Sequence, residues 1–395
     1  MKPEIKIGLF GYGVVGESLY HVLQHSKTVD ATVKKIGVKQ KDKKRSLPLS
    51  NYTFAKEDII EDEEINLVVE LIDDAGEARD IVKKCLIRKK AVVSGNKKML
   101  AHHLDELIEL QQQTGTALLY EASACGSIPV IRNIEEYYDN DLLQSVTGIL
   151  NGSSNYILSR IFKDGMDYHT ALKQAQALGF AESNPSLDVD GLDALYKLVI
   201  IATHALGTYV HPGKVFHYGI STIREEDIRY ACEKNLKIKL VAQLLKTGSR
   251  SFTLFVLPRL VNPDKYIYNV EDEYNGVVIE GEFYDKQFMF GKGAGGYPTG
   301  SAVLSDITAR SHNYRYEYKK QKYFQKVHYT TDHELEIYLR YHNPVDLSYF
   351  DFEEITKKYS GKDSNYVVGR IMLKNLVKIK EILPRLNLFL ASLKN

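Results

Sequence analysis

The sequence predicts an α/β chain with a doubly wound, Rossmann-type nucleotide domain first, an α+β domain after it and a small α+β extension at the C terminus. Three observations carry this. Lys2–Phe10 alternates and then turns apolar, as a buried parallel strand does, and runs straight into a G-x-G-x-x-G loop and a helical stretch, GYGVVGESLYHVL. Apolar strands at 66–72, 91–94 and 117–120 alternate with helical patterns, the order of a parallel sheet. Beyond about residue 129, helical stretches are followed by strands at 251–261 and 277–290, an α+β order. The expected boundaries are 1–128, with about 300–315 returning to it, then 129–299, and 327–395 after a polar, aromatic linker at 313–326.

With 395 residues the chain is long enough for two or three domains and a full-sized core. Lysine plus arginine (52) balances aspartate plus glutamate (51), so net charge points to neither nucleic acid nor a membrane surface as partner. No apolar run approaches the length that spans a bilayer, and the N terminus reads as a strand rather than a signal peptide; the expectation is a cytoplasmic protein. Cys85, Cys125 and Cys232 are too few and too scattered for a disulfide framework or a zinc site and read as reduced packing residues. His204, His211 and His217 fit no metal-binding spacing.

In the glycine loop, Gly11 allows the tight turn, Gly13 lets the backbone approach a pyrophosphate and Gly16 lets the helix pack on the strand. Phe10, Tyr12, Val14 and Val15 complete the loop expected at the cofactor. The second strand, Thr32–Val38, ends where an acidic residue would hold the ribose 2′-hydroxyl of NAD. It runs instead into KQKDKKR, and Lys39, Lys41, Lys43, Lys44 and Arg45 suit a 2′-phosphate, so NADP(H) is expected; Asp42 leaves NAD open. A helix is expected over 77–88 and another over LAHHLDELIELQQQ. The loop YEASACGSIPVI then leads to a helix from Pro129 to about Tyr138, followed by strand, turn and helix over QSVTGILNGSSNYILSRI.

The central stretch 175–197 gathers more ionisable groups into one short turn-and-helix unit than any other comparably Gly/Pro-marked place in the chain. A helix over 168–178 stops at Gly179, which takes the left-handed conformation cheaply. A loop carries Glu182, Asn184-Pro185 and Asp188; Asp190 is the expected N-cap of a helix beginning near Leu192. On that helix Asp193 and Lys197 are four apart and share a face. The bland reading is a surface ion pair. Against it, LVIIATHAL is apolar on nearly every side, so the pair sits on a helix that should be buried. An aldehyde that accepts hydride develops negative charge on oxygen, and an ammonium both stabilises and protonates it. Further on, IREEDIRYACEKNLKIKLVAQLL reads as helix; after the linker the pattern suggests a strand (334–341), a helix (352–359), a strand (366–373) and a helix (376–383).

From Ala175 to Lys197, the string A-x-x-x-G-F-A-E-S-N-P-x-x-D-V-x-G-x-D-x-x-x-K resembles the signature of homoserine dehydrogenases. The resemblance covers about residues 5 to 312 and implies reduction of L-aspartate 4-semialdehyde to L-homoserine with NAD(P)H, on the route to threonine and methionine. It implies Lys197 as general acid and base, Asp193 holding it and the substrate, Glu182 pairing with the substrate ammonium, and Asp188 at the substrate too. Asn151-Gly152-Ser153 resembles the family's Asn-Gly-Thr, which puts Ser153 at the substrate carboxylate. Asn96-Lys97 matches its Asn-Lys, with Lys97 a contact to cofactor and substrate. Lys39 lies at the family's arginine position, and Gly179 counts among the cofactor contacts. GKGAGGYPT looks like GPGAGxxPT, with Gly293 and Gly295 beside the nicotinamide; Lys292 and Gly300 depart from it. Asp73-Asp74 stand where glycines are usual. The turn after strand 117–120 resembles a monovalent-cation loop, sodium held by the carbonyls of Glu121, Ala124, Gly126 and Ile128. The second domain would carry catalysis and the contact of a homodimer or higher homo-oligomer, and 327–395 would be an ACT-like extension. The competing readings are another NAD(P)-dependent amino-acid or semialdehyde dehydrogenase and a nucleotide-sensing regulator without catalysis.

Overall fold

The computed structural model describes residues 4–361 and 364–394. It divides into two compact units, one formed by the chain up to Asp139 with Lys292–Lys319, the other by Asn140–Gly291 with the chain from Lys320 onward. In chain order the first contains β1 (Ile5–Phe10), α1 (Val14–His25), β2 (Ala31–Gly37), β3 (Tyr52–Thr53), α2 (Glu57–Ile60), β4 (Leu67–Glu70), α3 (Ala75–Ile87), β5 (Ala91–Ser94), α4 (Lys97–Thr114), β6 (Leu118–Leu119) and α5 (Val130–Glu136). There follow β7 (Leu143–Ile149), α6 (Gly152–Asp164), α7 (Tyr168–Ala177), α8 (Ser186–Val189), α9 (Leu192–Leu206), β8 (Phe216–His217), α10 (Glu225–Cys232), β9 (Lys237–Gly248), β10 (Ser251–Val261), β11 (Tyr274–Gly281) and β12 (Lys286–Lys292). The last stretch holds α11 (Gly296–Ser311), α12 (Lys319–Tyr323), β13 (His328–Tyr329), β14 (Glu334–Tyr341), β15 (Phe352–Ser360), β16 (Asn365–Met372), α13 (Leu373–Ile379) and β17 (Leu388–Lys394).

The first unit is the expected Rossmann-type sheet, six parallel strands in the order β3-β2-β1-β4-β5-β6. Its central strands read as apolar runs because both faces are covered: β4 and β5 are buried at every position. The Asp73-Asp74 departure has a local use, since Asp74 caps α3 and accepts from the Glu77 amide at 2.8 Å. α11 begins earlier than expected and lies against α1. A Cβ on Gly300 would come within 3.0 Å of the Leu19 nitrogen, so glycine permits the close approach.

The segment expected as a linker is packed instead. In YRYEY alternate residues face inward: Tyr316 and Tyr318 are buried, the Tyr318 hydroxyl lies 2.8 Å from that of Tyr120, and Gln111 donates to the Tyr316 carbonyl at 2.9 Å. The same interior holds two carboxylates. Glu121 accepts from the amides of Ile131 and Arg132 at 2.8 Å each and so closes the start of α5. Asp306 accepts from the Glu121 amide at 2.9 Å and from Arg132 at 3.2 Å.

The second unit is built on an eleven-stranded mixed sheet ordered β12-β11-β7-β9-β10-β17-β14-β16-β15, with β8 and β13 alongside β10. The C-terminal strands extend this sheet. Three expectations fail here. The helix expected over IREEDIRYACEKNLKIKLVAQLL ends at Cys232 and the rest is β9. Asn235 stops it, taking φ +55° while the Leu236 amide reaches back to the Ala231 carbonyl at 2.9 Å. A run buried on both faces, as β9 is, has no period that separates strand from helix. Residues 352–359 are strand, so the strand-helix-strand-helix order behind the ACT-like reading is not found. Their charged, helix-favouring side chains are held by cross-strand partners, Arg370 to Glu354 at 2.6 Å and Tyr359 stacked on Tyr366. Finally, Asp190 is not the cap of α9. Gly191 holds that place at φ +84°, and Asp190 accepts from Ser221 at 2.8 Å.

Burial, with the Glu121 charge beside it, pushes the Asp306 carboxyl up to about 8. An unfolded aspartate loses its proton near pH 4, at about 3.9. Between those values the folded chain holds a proton that the unfolded chain has released, so stability falls as pH rises from about 4 to about 8 and levels off above. Asp306→Asn should flatten that part of the stability profile in urea unfolding at a series of pH values; an unaltered slope would place the proton elsewhere.

Candidate active site

In the first unit a cavity of about 850 Å³ opens at the carboxyl ends of β1, β2 and β4, where the strand order reverses. Its walls are Phe10, Gly11, Tyr12, Gly13, Val14, Val15 and Gly16, then the end of β2 with Lys39, Lys43 and Arg45, then the segments 53–57 and 71–74. The glycines divide their work as expected. Gly11 sits at φ +92°, and a Cβ there would lie 2.5 Å from the Leu71 carbonyl. A Cβ on Gly16 would lie 2.2 Å from the Gly11 carbonyl, whereas around Gly13 nothing stands within 4 Å, so the backbone there is open to a ligand. α1 starts at Gly13 without a side-chain cap, which leaves its first amides to an anion. Volume, open glycine and uncapped helix all fit a dinucleotide.

Lys39 stands where β2 ends and forms an ion pair with Glu77 at 2.5 Å. This partner, on the first turn of α3, raises the Lys39 ammonium above its ordinary value. Arg45 donates to the carbonyls of Gln40 at 2.6 Å and Lys43 at 2.9 Å and lies over the Tyr52 ring. Lys97 is the half-buried first residue of α4. The preceding Asn96 caps that helix through Met99 at 2.9 Å and donates to the Ile72 carbonyl at 2.9 Å. Sequence reasoning missed Glu70, the last residue of β4: fully buried, it accepts from Ser94 at 2.5 Å and from the Ile72 amide at 2.8 Å, and burial pushes it up to about 7. A carboxylate closing the apolar run LVVE was the available signal.

Gly293 and Gly295 do not line this cavity. A Cβ on Gly126, at φ +54°, would meet the Lys292 carbonyl at 2.6 Å, and the Ser127 amide donates to that carbonyl at 3.0 Å, so Lys292-Gly293 packs on the turn 121–128. Within that turn the Glu121 carbonyl accepts from the Ala124 amide at 3.2 Å and the Ile128 carbonyl from Val130 at 2.9 Å. Among the described residues no group of three or more His, Cys, Asp or Glu side chains is placed to hold a metal ion.

The second unit brings the central residues together. Lys197 and Asp193 are each only 4% exposed, because α9 is buried at every position from Asp193 to Leu206. The Lys197 Nζ lies 2.8 Å from Asp193 Oδ2 and donates to the Leu150 carbonyl at 2.6 Å. Asn151, which caps α6 through the Ser154 amide at 2.8 Å, donates to Asp188 at 2.7 Å and to Asp193 at 3.0 Å. Asn151 belongs to the Asn-Gly-Ser motif without a role expected from sequence, whereas the Ser153 hydroxyl donates to the Phe180 carbonyl at 2.5 Å. Gly179 ends α7 at φ +75°, and Glu182 is exposed on the loop that follows, outside the buried cluster.

Known proteins resemble this chain over most of its length. Residues 11–121 match the family model described as "Homoserine dehydrogenase, NAD binding domain", and residues 129–308 match the homoserine dehydrogenase model. The homoserine dehydrogenase of Synechocystis sp. is 38% identical over 315 residues, 77% of this chain and 72% of that protein. That of Helicobacter pylori is 37% identical over 313 residues, 78% of this chain and 74% of that protein. The crystal structure of a homoserine dehydrogenase from Thiobacillus denitrificans superposes with a TM-score of 0.85 at 26% identity, covering 100% of this chain and 99% of that one.

Because a methyl group on residue 16 would press into the Gly11 carbonyl, Gly16→Ala must shift the loop that faces the cavity. Affinity for a nicotinamide dinucleotide, followed by fluorescence titration, should fall about tenfold or more for a displacement of this kind, the direct contact being one of backbone against backbone. Unchanged affinity would mean the loop is not the nucleotide seat.

Proposed function

The chain belongs to the homoserine dehydrogenase family, and from that premise we propose that it reduces L-aspartate 4-semialdehyde to L-homoserine with NADPH, reversibly, with Lys197 as general acid and base. One observation carries the assignment of Lys197: a buried ammonium, on a helix with no solvent-facing side, whose three hydrogens meet two protein acceptors, Asp193 and the Leu150 carbonyl. The third hydrogen is the one delivered to the carbonyl oxygen of the substrate. As negative charge grows on that oxygen the ammonium stabilises it and then gives up the proton; in homoserine oxidation the neutral amine takes it back. Asp193 holds the lysine in place. Asn151 ties Asp193 to Asp188, so the two carboxylates turn together toward the substrate.

Glu182, exposed on its loop, is proposed to pair with the substrate ammonium, and Ser153 and Lys97 to contact the carboxylate end. The cofactor, when bound in the cavity by Phe10–Gly16, supplies the hydride. NADPH is preferred over NADH in this reading, because Lys39, Lys43 and Arg45 line the cavity where β2 ends and residues 38–41 contain no carboxylate. Glu77, paired with Lys39, tempers that preference. Gly179, Gly293 and Gly295 are assigned to the nicotinamide side, and the carbonyls of Glu121, Ala124, Gly126 and Ile128 to a sodium ion. A homodimer is supported by the exposed aromatic ladder at the sheet edge, Phe288 stacked on Tyr266 and Phe290 on Tyr274. No described helix is long and apolar enough to cross a membrane, and with a balanced charge we place the enzyme in the cytoplasm.

Loss of a positioned acid–base group lowers turnover by about 10²–10⁴-fold, and Lys197→Ala should show such a fall in kcat for L-homoserine oxidation with NADPH affinity unchanged; comparable kcat would remove Lys197 from the reaction. The ratio of kcat/KM for NADPH over NADH should exceed one, and Lys39→Asp should narrow or reverse it. If the ratio stays put in the variant, the basic stretch faces solvent and reads nothing.

A further inference from the structure

We propose that Asn275 is a positioning residue for the reaction: by holding the Leu150 carbonyl, it sets the direction in which Lys197 presents its remaining hydrogen. The proposal rests on Lys197 being the acid–base group. Leu150 is the first residue after β7, and β11 pairs with β7 so that Gly276 stands opposite Ile149. That register brings Asn275 beside Leu150, and its Nδ2 donates to the Leu150 carbonyl at 3.0 Å while Lys197 donates to the same oxygen at 2.6 Å. A carbonyl oxygen has two acceptor positions. With one taken by Asn275 and the other by Lys197, the peptide plane cannot swing and the ammonium hangs from a fixed point.

The amide gains nothing for itself from this place. Asn275 is fully buried, and with its nitrogen committed to a carbonyl its Oδ1 must face the other way, where it has no partner. A leucine, branched in the same way and with as many heavy atoms, would leave no buried acceptor bare, so the bond to Leu150 is what the asparagine is for.

The segment that delivers Asn275 is itself anchored. The Asn155 Nδ2, one turn after Asn151 on α6, shares its two hydrogens among three carbonyls, those of Val270 at 3.2 Å and Asp272 at 3.0 Å in the loop before β11 and of Tyr274, that strand's first residue, at 3.2 Å. Ser159, a further turn on, receives the Asp272 amide at 2.8 Å and donates to Glu271 at 2.8 Å. Buried Lys239 donates to the Val270 carbonyl at 2.6 Å. One face of α6 thus carries Asn151, Asn155 and Ser159, fixing the carboxylates at one end and the Asn275 strand at the other.

The test is steady-state kinetics on full-length Asn275→Leu and Asn275→Ala, beside Lys197→Ala. A group displaced by a fraction of an ångström loses about 10- to 100-fold in rate, so both Asn275 variants should lose that much kcat for homoserine oxidation. KM for homoserine, NADPH affinity by fluorescence and melting temperature should stay near the wild-type values. Alanine, smaller than asparagine, keeps the test open should leucine not fit. Unchanged kcat in the Asn275 variants, with Lys197→Ala inactive, overturns the positioning role alone; so does a joint fall of kcat, cofactor affinity and melting temperature, which marks general loosening. An active Lys197→Ala instead removes the reading on which the proposal stands.

Discussion

An ammonium held inside a helix that water does not reach is the constraint around which the second unit is arranged. Taking a charge out of water costs several kcal/mol even after relaxation, and the Lys197–Asp193 pair lies on α9, where every residue from Asp193 onward is buried. A salt bridge in such a place is weak evidence for stability, because a well-packed apolar pair would serve as well or better. The surroundings respond to the charge at every point. Leu150 turns its carbonyl to the lysine, Asn151 gives its amide hydrogens to both carboxylates, and Gly191 bends the chain so that α9 can begin directly after the Asp188 turn. These are backbone and side-chain commitments made to one amine.

The first unit is governed by a different demand, close approach of backbone to backbone. Gly11 against Leu71, Gly16 against Gly11, Gly126 against Lys292 and Gly300 against Leu19 are all places where a methyl group would strike main-chain atoms. Of the three glycines of the loop that line the cavity, Gly13 is the one with nothing within 4 Å of where a Cβ would stand. The two units therefore answer separate halves of one chemical problem: rigid bare backbone and helix-start amides suit a polyphosphate, whereas a desolvated amine suits a proton.

Where sequence reasoning succeeded, local signals and final structure agreed. The glycine loop, the apolar strands around it and the i,i+4 spacing of Asp193 and Lys197 all follow from period and from residues with one steric purpose. Where it failed, something distant decided. β9 has no period because both its faces are covered, and the small sign that a helix ended before it was a single asparagine in a left-handed position. YRYEY looked polar and unstructured until alternate tyrosines were given an interior to enter. At the site, only three-dimensional neighbours show that the Ser153 hydroxyl donates to the Phe180 carbonyl and that Asn151 joins the carboxylates. Asn275, more than a hundred residues from Leu150, carries no motif at all; its meaning lies in a strand register.

Burial alone does not single out a catalytic cation, since among the described residues the second unit buries Arg259, Lys320, Arg340 and Lys239 as well as Lys197. Arg340 is fully enclosed and paired with Asp227 at 2.9 Å, joined there by Tyr338 at 3.0 Å, but a guanidinium does not give up a proton in proteins. Lys239 is equally enclosed, and burial lowers it to about 8. Its ammonium meets three acceptors, the Val270 carbonyl at 2.6 Å, Asn155 at 3.2 Å and Glu271 at 3.3 Å, one for each hydrogen, so it ties loop to sheet and has nothing to hand on. Lys197 meets two. Set beside Lys239 it keeps one bond uncommitted, and the asymmetry follows from the placing of neighbours rather than from the lysine. A third acceptor set beside it, however modest the change in stability, would make it a structural tie of the kind Lys239 already makes.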